Sequence, residues 1–140
     1  MIETARDILK KENCTCVLTN GKVVYKSDER GIMTMMKFIR RGVDLKGFSA
    51  ADKIVGKAAA MLFVIAGVKE VYAGVLSKNA KDVLEKYKIS VSYDILTPRI
   101  ENRLRNGICP IEMMVENIDY PQEAYFALKK RIFELARMGY

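Results

Sequence analysis

At 140 residues, half of them apolar and 29% charged, the chain has the size and balance of one ordinary domain, which excludes an intrinsically disordered segment. It contains no histidine, which removes the commonest general base and metal ligand, and with it Ser-His and Cys-His triads and most zinc sites. The net charge of +7 suits an anionic partner, a nucleotide or nucleic acid, but acidic residues lie among the basic ones and a solvated surface explains the same balance.

The longest uncharged run, Ala58 to Val68, is well short of the about 20 residues that span a bilayer, and the N-terminus lacks a signal-peptide pattern. No membrane association and a cytoplasmic location are therefore expected. Three cysteines, an odd number, fit a reduced compartment better than a disulfide framework. A single glutamine beside many Lys and Glu residues points faintly to a thermophilic source.

In chain order, Thr4–Lys11 reads as a helix with Ala5, Ile8 and Leu9 on one face. Two β-prone runs, Thr15–Asn20 and Lys22–Ser27, flank Asn20-Gly21, the pair favoured in a tight two-residue hairpin turn. Ile32–Arg41 is a second helix with Ile32, Met35, Met36 and Ile39 on one face, a stripe that suits core packing or an adaptable binding surface. Ser49–Gly67 reads as one central helix: Ser49 caps it, Asp52 completes a capping box, and Gly67 stops it. Its body from Ala58 to Ala66 is apolar on every face, the mark of a buried helix.

Val71–Leu76, Lys78–Tyr87 and Ser90–Leu96 form a strand, helix and strand with short links, which predicts a parallel crossover. Pro98 ends the last strand, and the stretch to Cys109 suits either a turn of helix or a long loop. A short helix over Ile111–Asn117 follows. The final helix opens at Pro121 and runs to about Arg137, with Tyr125, Leu128, Ile132 and Leu135 as its buried stripe. The sum is one α/β domain over residues 1–140: a three-layer α/β/α sandwich with a mixed sheet of four or five strands and an N-terminal hairpin.

This order resembles the cytidine-deaminase-like fold, and the stretches DKIVGKAAAM and NGICPIEMM resemble domain of unknown function 1893. That family comprises small bacterial and archaeal proteins placed in the deaminase-like superfamily, and it has no established activity to transfer. Working zinc deaminases carry a His or Cys, then Ala and Glu, at the start of the central helix, and Pro-Cys-x-x-Cys after the next strand. The corresponding stretches here are Val55–Ala59 (VGKAA) and Ser77–Lys81 (SKNAK), without Cys, His or Glu. The resemblance thus implies a domain without zinc or another cofactor and without the usual deamination chemistry. It also allows a homodimer, which no residue by itself indicates.

Lys53 and Lys57 lie four residues apart near the front of the central helix, with Gly56 bare between them. Cations at a helix N-terminus are misplaced by about some tenths of a kcal/mol. A bound anion would remove that conflict; otherwise the lysines extend into water or pair with Asp52. The second constellation is Arg99, Arg103 and Arg105 with Asn102 and Asn106, beyond the last strand, where α/β folds commonly hold ligands. These guanidinium groups suit phosphate or carboxylate, or they pin the loop through Glu101, Glu112 or Glu116.

Cys109 precedes a helix opened by Pro110, which favours a lowered thiol pKa, with Glu112 as an inferior base; an inert, buried cysteine is the plainer alternative. Asp52 could replace the missing catalytic glutamate or serve only as the cap. Taken together, the residues suggest a small anionic ligand, a nucleotide or other phosphate compound, held by Lys53, Gly56, Lys57, Arg99 and Arg103. The alternatives are a metal-free enzyme built on Cys109, Glu112 and Asp52, and a nucleic-acid or protein interaction module. The module has little support, because the aromatic residues are not interleaved with a basic strip.

Overall fold

A computed structural model describes residues 1–102 and 104–137. Its first helix, α1 (Ile2–Lys11), leads into an antiparallel pair, β1 (Cys16–Thr19) and β2 (Val24–Ser27). The hairpin register pairs Thr19 with Val24, so four residues lie in the loop instead of the two expected at Asn20-Gly21. Asn20 is the reason: its Oδ1 accepts hydrogen bonds from the N–H groups of Lys22 and Val23, and Gly21 takes φ +92°. Helix α2 (Met33–Arg40) follows as predicted.

The largest departure from the sequence reading comes next. Ser49–Val55 is a strand, β3, and only Lys57–Ala66 is helical, as α3. The Ser-x-x-Asp pattern mimics a capping box, but tertiary pairing decides: β3 lies between antiparallel β1 and parallel β4 (Glu70–Ser77). Ser49 does not cap a helix; its hydroxyl donates to Glu70 Oε2 at 2.5 Å. Asp52 consequently faces the interior of a sheet layer and caps nothing.

Helix α4 (Lys78–Lys86) and strand β5 (Ser90–Thr97) complete the predicted crossover, so that β3, β4 and β5 run parallel in a five-stranded sheet of order β2-β1-β3-β4-β5. Two short connections through α3 and α4 thus make two successive β-α-β units, of which the sequence reading caught one. Helices α5 (Pro110–Val115) and α6 (Pro121–Arg137) close the chain. Along α6, Leu128 is buried and Tyr125 and Ile132 are half-buried as expected; the side chain of Leu135 lies outside those described.

The layers follow from where the apolar side chains point. Helix α1 sets Ala5 and Leu9 on Val17, Ala51 and Tyr72 of one sheet face. The opposite face, with Leu18, Ala50, Val71 and Ala73, receives α3, whose Ala58, Ala60, Met61, Leu62 and Phe63 are almost inaccessible to solvent. Each of the three large side chains contributes about 1.5–3 kcal/mol by burial. Since α2, α5 and α6 pack on the outside of α3, it is the central helix the apolar run predicted.

Near their C-terminal ends β3 and β4 lose strict alternation. Ala50 and Asp52 belong to the α3 side, yet so does Val55; likewise Val71 and Ala73, and then Leu76. The switch falls at Gly74, where a Cβ would stand 2.7 Å from the Lys53 carbonyl oxygen. Beyond it, Ile54 on β3 and Ile95 on β5 are more than half exposed at the ends of parallel strands. Among the described residues no helix is long and apolar enough to cross a membrane.

Candidate functional site

The N-terminus of α3 opens at Gly56, whose carbonyl accepts from Ala60 N–H and whose missing side chain leaves no cap of its own. Glu112, in the first turn of α5, supplies the cap from a distance in sequence. Its Oε1 accepts from Lys57 N–H at 2.7 Å and its Oε2 from Ala58 N–H at 3.0 Å. Lys57 is buried too, and its ammonium donates to the Glu116 carbonyl at 3.0 Å, at the C-terminal end of α5. The two helices therefore satisfy each other: a carboxylate meets the positive pole of α3, and a cation meets the negative pole of α5. Burial pushes the Glu112 carboxyl up from its ordinary range, and the Ala58 and Lys57 amides with the Lys57 charge oppose this.

This arrangement corrects the anion site read from the sequence. Lys53 and Lys57 do not share a helix, because Lys53 is on β3, where its ammonium donates to Asn13 Oδ1 at 2.9 Å. The free amides expected to greet a ligand are taken by Glu112. The bareness of Gly56 serves the same contact, since a Cβ there would collide with the Glu112 carboxylate. Gly56→Ala is accordingly expected to displace the Glu112 carboxylate and cost about 2–3 kcal/mol, from two charge-assisted hydrogen bonds and a poorer N-cap. In a Glu112→Ala background the same change should cost under about 1 kcal/mol, a non-additivity that chemical denaturation of the four proteins measures.

Two adjoining cavities lie beside this clamp, sharing Arg30, Ile54, Ile100 and Glu101 as a common wall. The first, about 370 Å³, is bounded by Asp52, Lys53 and Gly56, and by Cys109 and Glu112. It thus collects most of the predicted site residues, though Glu112 is engaged as a cap. Asp52 is only 9% exposed and is pushed up to about 7 by burial, against the opposing amides of Ile54 and Lys53. Cys109 is half-buried on the wall, neither the fully inert core thiol nor an open one.

The second cavity, about 610 Å³, is lined by Arg30, Arg99 and Arg105 above Ile54, Val75 and Ile95 at the ends of the three parallel strands. The stretch after β5 is a closed loop, not a helix: Glu101 bridges to Ile108, and Cys109 N–H donates to the Ile100 carbonyl. Asn102 and Asn106 are its ties, bonding each other at 2.8 Å, while Asn102 Oδ1 accepts from Asn106 N–H. The closure holds Arg105 at φ +56°. Arg103 lies outside the described residues.

Arg30 is the residue that the sequence reading missed. Thr15 Oγ1 donates to the Ser27 and Glu29 carbonyls at 2.9 and 2.6 Å, which fixes the segment that carries it. Only the strand order brings that segment beside the loop after β5, so no local pattern marks it.

A separate apolar groove of about 470 Å³ between α2 and α6 contains Met33, Met36, Phe126 and Phe133 with lysines and one arginine on its rim. It brings together no carboxylate, thiol or predicted site residue. Of the methionine stripe, Met35 and Met36 are buried in the core, and Met36 also lines this groove.

Residues 4–132 match the family model described as TM1506, domain of unknown function DUF1893. The chain belongs to the DUF1893 family. A DUF1893 family protein (TM1506) from Thermotoga maritima has a crystal structure that overlays with a TM-score of 0.87 at 27% identity, covering 93% of this chain and 88% of that one. Two more distant overlays are with deaminases. One is a diaminohydroxyphosphoribosylaminopyrimidine deaminase/5-amino-6-(5-phosphoribosylamino)uracil reductase from Thermotoga maritima, with a TM-score of 0.45 at 16% identity over 66% of this chain and 34% of that one. The other is the dCMP deaminase of cyanophage S-TIM5 in complex with dCMP and dUMP, with a TM-score of 0.46 at 13% identity over 66% and 93%. Overlays of that extent carry no argument about chemistry. No curated protein matches the chain.

In this DUF1893 domain the two stretches compared above with zinc motifs, Val55–Ala59 and Ser77–Lys81, fall at the starts of α3 and α4. The first is occupied by the Glu112 cap, and in the second Ser77 Oγ accepts from Ala80 N–H. Among the described residues no three His, Cys, Asp or Glu side chains gather as a metal-holding group.

Proposed function

We propose that this domain binds a small anionic ligand, a nucleotide or related phosphate compound, in the arginine-lined cavity at the ends of the parallel strands. The observation that carries this reading is the meeting of Arg30, Arg99 and Arg105 at one cavity, where none of them takes part in an ion pair among the described residues. Three guanidinium groups share the cavity with one carboxylate, Glu101, so positive charge is in excess there, and planar guanidinium forks suit a phosphate or carboxylate.

Arg105 adds a local argument. A left-handed backbone costs a non-glycine residue about 1–2 kcal/mol, and asparagine or glycine would fit better. An arginine there makes sense where its charge is needed. Of the ligand set read from the sequence, Arg99 remains in the proposal, with Arg103 on sequence grounds alone; Lys53, which lines the adjoining cavity and is engaged with Asn13, leaves it with Gly56 and Lys57.

A thermal-shift screen of nucleotides and sugar phosphates tests this. A ligand present at 100 times its Kd adds about 2.7 kcal/mol and should raise the Tm by about 5 °C or more. The double variant Arg99→Ala/Arg105→Ala should keep its own Tm and lose that rise. No stabiliser across the panel contradicts the proposal.

A further inference from the structure

We propose that the groove between α2 and α6 is a docking site for an acidic amphipathic helix of another protein. The inference is independent of the anion-binding reading, because no residue of this groove lines either strand-end cavity.

The two walls of the groove carry the same residue spacing. On α2, Met33, Met36, Lys37 and Arg40 stand at i, i+3, i+4 and i+7, and on α6 Phe126, Lys129, Lys130 and Phe133 repeat it. At about 3.6 residues per turn each set forms one stripe along its helix, an interleaving of apolar and basic side chains that is hidden in the linear sequence. On α6 this stripe is a second face, since Ala124 and Leu128 already point into the core. Phe126 and Phe133 are each 63% exposed, so two large rings on one helix face have no cover within the domain.

Shape selects a helix as the occupant. Both α2 and α6 lie on α3, and the cleft between them holds about 470 Å³. A small-molecule site encloses most of its ligand, whereas here the rings at the edge stay open to solvent. A flat membrane surface does not enter a concave cleft. From Tyr125 to Ala136 the α6 wall runs about 16 Å, or three helical turns, and two parallel stripes at this spacing are what a third helix packs its own ridge between.

Charge selects an acidic one. The lining holds four cations, Lys37, Arg40, Lys129 and Lys130, and no carboxylate. Lys37 is paired with Glu29, while Arg40, Lys129 and Lys130 have no ion-pair partner among the described residues. A second copy on a twofold axis would set these cations against themselves, but a partner with Asp or Glu flanking an apolar ridge complements them. A nucleic-acid strand would meet the same charge, yet the methionines and Ile132 offer its bases neither a stacking ring nor a polar edge.

Panning a library of random peptides of about 16 residues on the full chain tests this. Enriched sequences should carry large apolar residues at helical spacing with Asp or Glu beside them. Phe126→Ala/Phe133→Ala and Lys129→Glu/Lys130→Glu should each weaken a synthetic copy about tenfold or more, and both should keep the wild-type Tm because the replaced side chains are exposed. A copy with Lys in place of its acids should fail on the wild type and bind the charge-reversed variant. Phe133→Ala alone repeats the measurement should the double variant fold poorly. No enrichment, enriched peptides without acids, or binding that ignores both variants overturns the proposal. So does a dimer in light scattering that Phe126→Ala/Phe133→Ala dissociates, or groove-dependent binding of phosphatidylglycerol vesicles or oligouridine in place of the peptides.

Discussion

Glu112→Ala is expected to lower the free energy of unfolding by about 3 kcal/mol, a larger loss than removal of any exposed charge. Two charge-assisted hydrogen bonds to buried amides disappear, each worth about 1.5–3 kcal/mol, and the amides of Lys57 and Ala58 are left without a partner. Lys57 then remains buried beside the Glu116 carbonyl without the opposite charge at its own helix end. Glu112→Gln keeps one acceptor oxygen and should lose about half as much. Denaturant titration of the three proteins reads this directly, and the accompanying loss of α5 docking should appear as faster amide exchange in the first turn of α3. A cost below about 1 kcal/mol for the alanine variant would mean that the clamp does not hold α3 in place.

Asp52→Asn should reshape the pH dependence of stability. The folded-state carboxyl is raised to about 7 by burial, against about 3.9 for an unfolded aspartate. Between those values the folded chain keeps the proton and the unfolded chain has lost it, so stability falls as pH rises from about 4 and levels off above about 7. At 1.36 kcal/mol per pKa unit the penalty approaches about 4 kcal/mol. The asparagine variant cannot titrate there. Its stability relative to wild type should therefore improve by about 3–4 kcal/mol between pH 4 and pH 8, measured as the difference between two denaturation series. Other groups largely cancel in that difference, though the Cys16 thiol, raised by burial and by the Asp52 charge across the strand pair, limits the comparison to pH values below its own titration. A constant difference across the range would contradict a buried, proton-holding carboxyl.

How far the sequence went is best judged on particular elements. The apolar body of α3, the Val71–Leu76 and Ser90–Leu96 strands, and α4 between them were legible because each carries its own periodicity and length. β3 was not. SAADKIV is short, rich in alanine and preceded by a helix-capping serine, and what makes it extended is hydrogen bonding to β1 and β4, neither of which is local. Losing β3 moved Asp52 and Lys53 onto the wrong element and turned a strand-to-helix junction into the front of one long helix.

The candidate site divides along the same line. Sequence marked the electrostatic conflict of a lysine at the head of α3 correctly, but a ligand is only one way to resolve it, and α5 resolves it from within the chain. The pairing of Glu112 with Lys57 spans 55 positions and has no local signature. The arginines after β5 were visible as a cluster, whereas Arg30 depends on the order of strands in the sheet. Membership in the DUF1893 family, read from two short stretches, holds over nearly the whole chain.

The most direct measurement compares ribose 5-phosphate binding by the wild type, Arg99→Ala and Lys57→Met, the last keeping the buried stem of the lysine without its charge. Binding by the strand-end cavity predicts about a tenfold weaker Kd for the arginine variant, equivalent to 1.4 kcal/mol, and an unchanged Kd for the lysine variant. The reverse pattern, with Lys57 required and Arg99 dispensable, would put the anion at the α3 terminus and contradict the Glu112 clamp there.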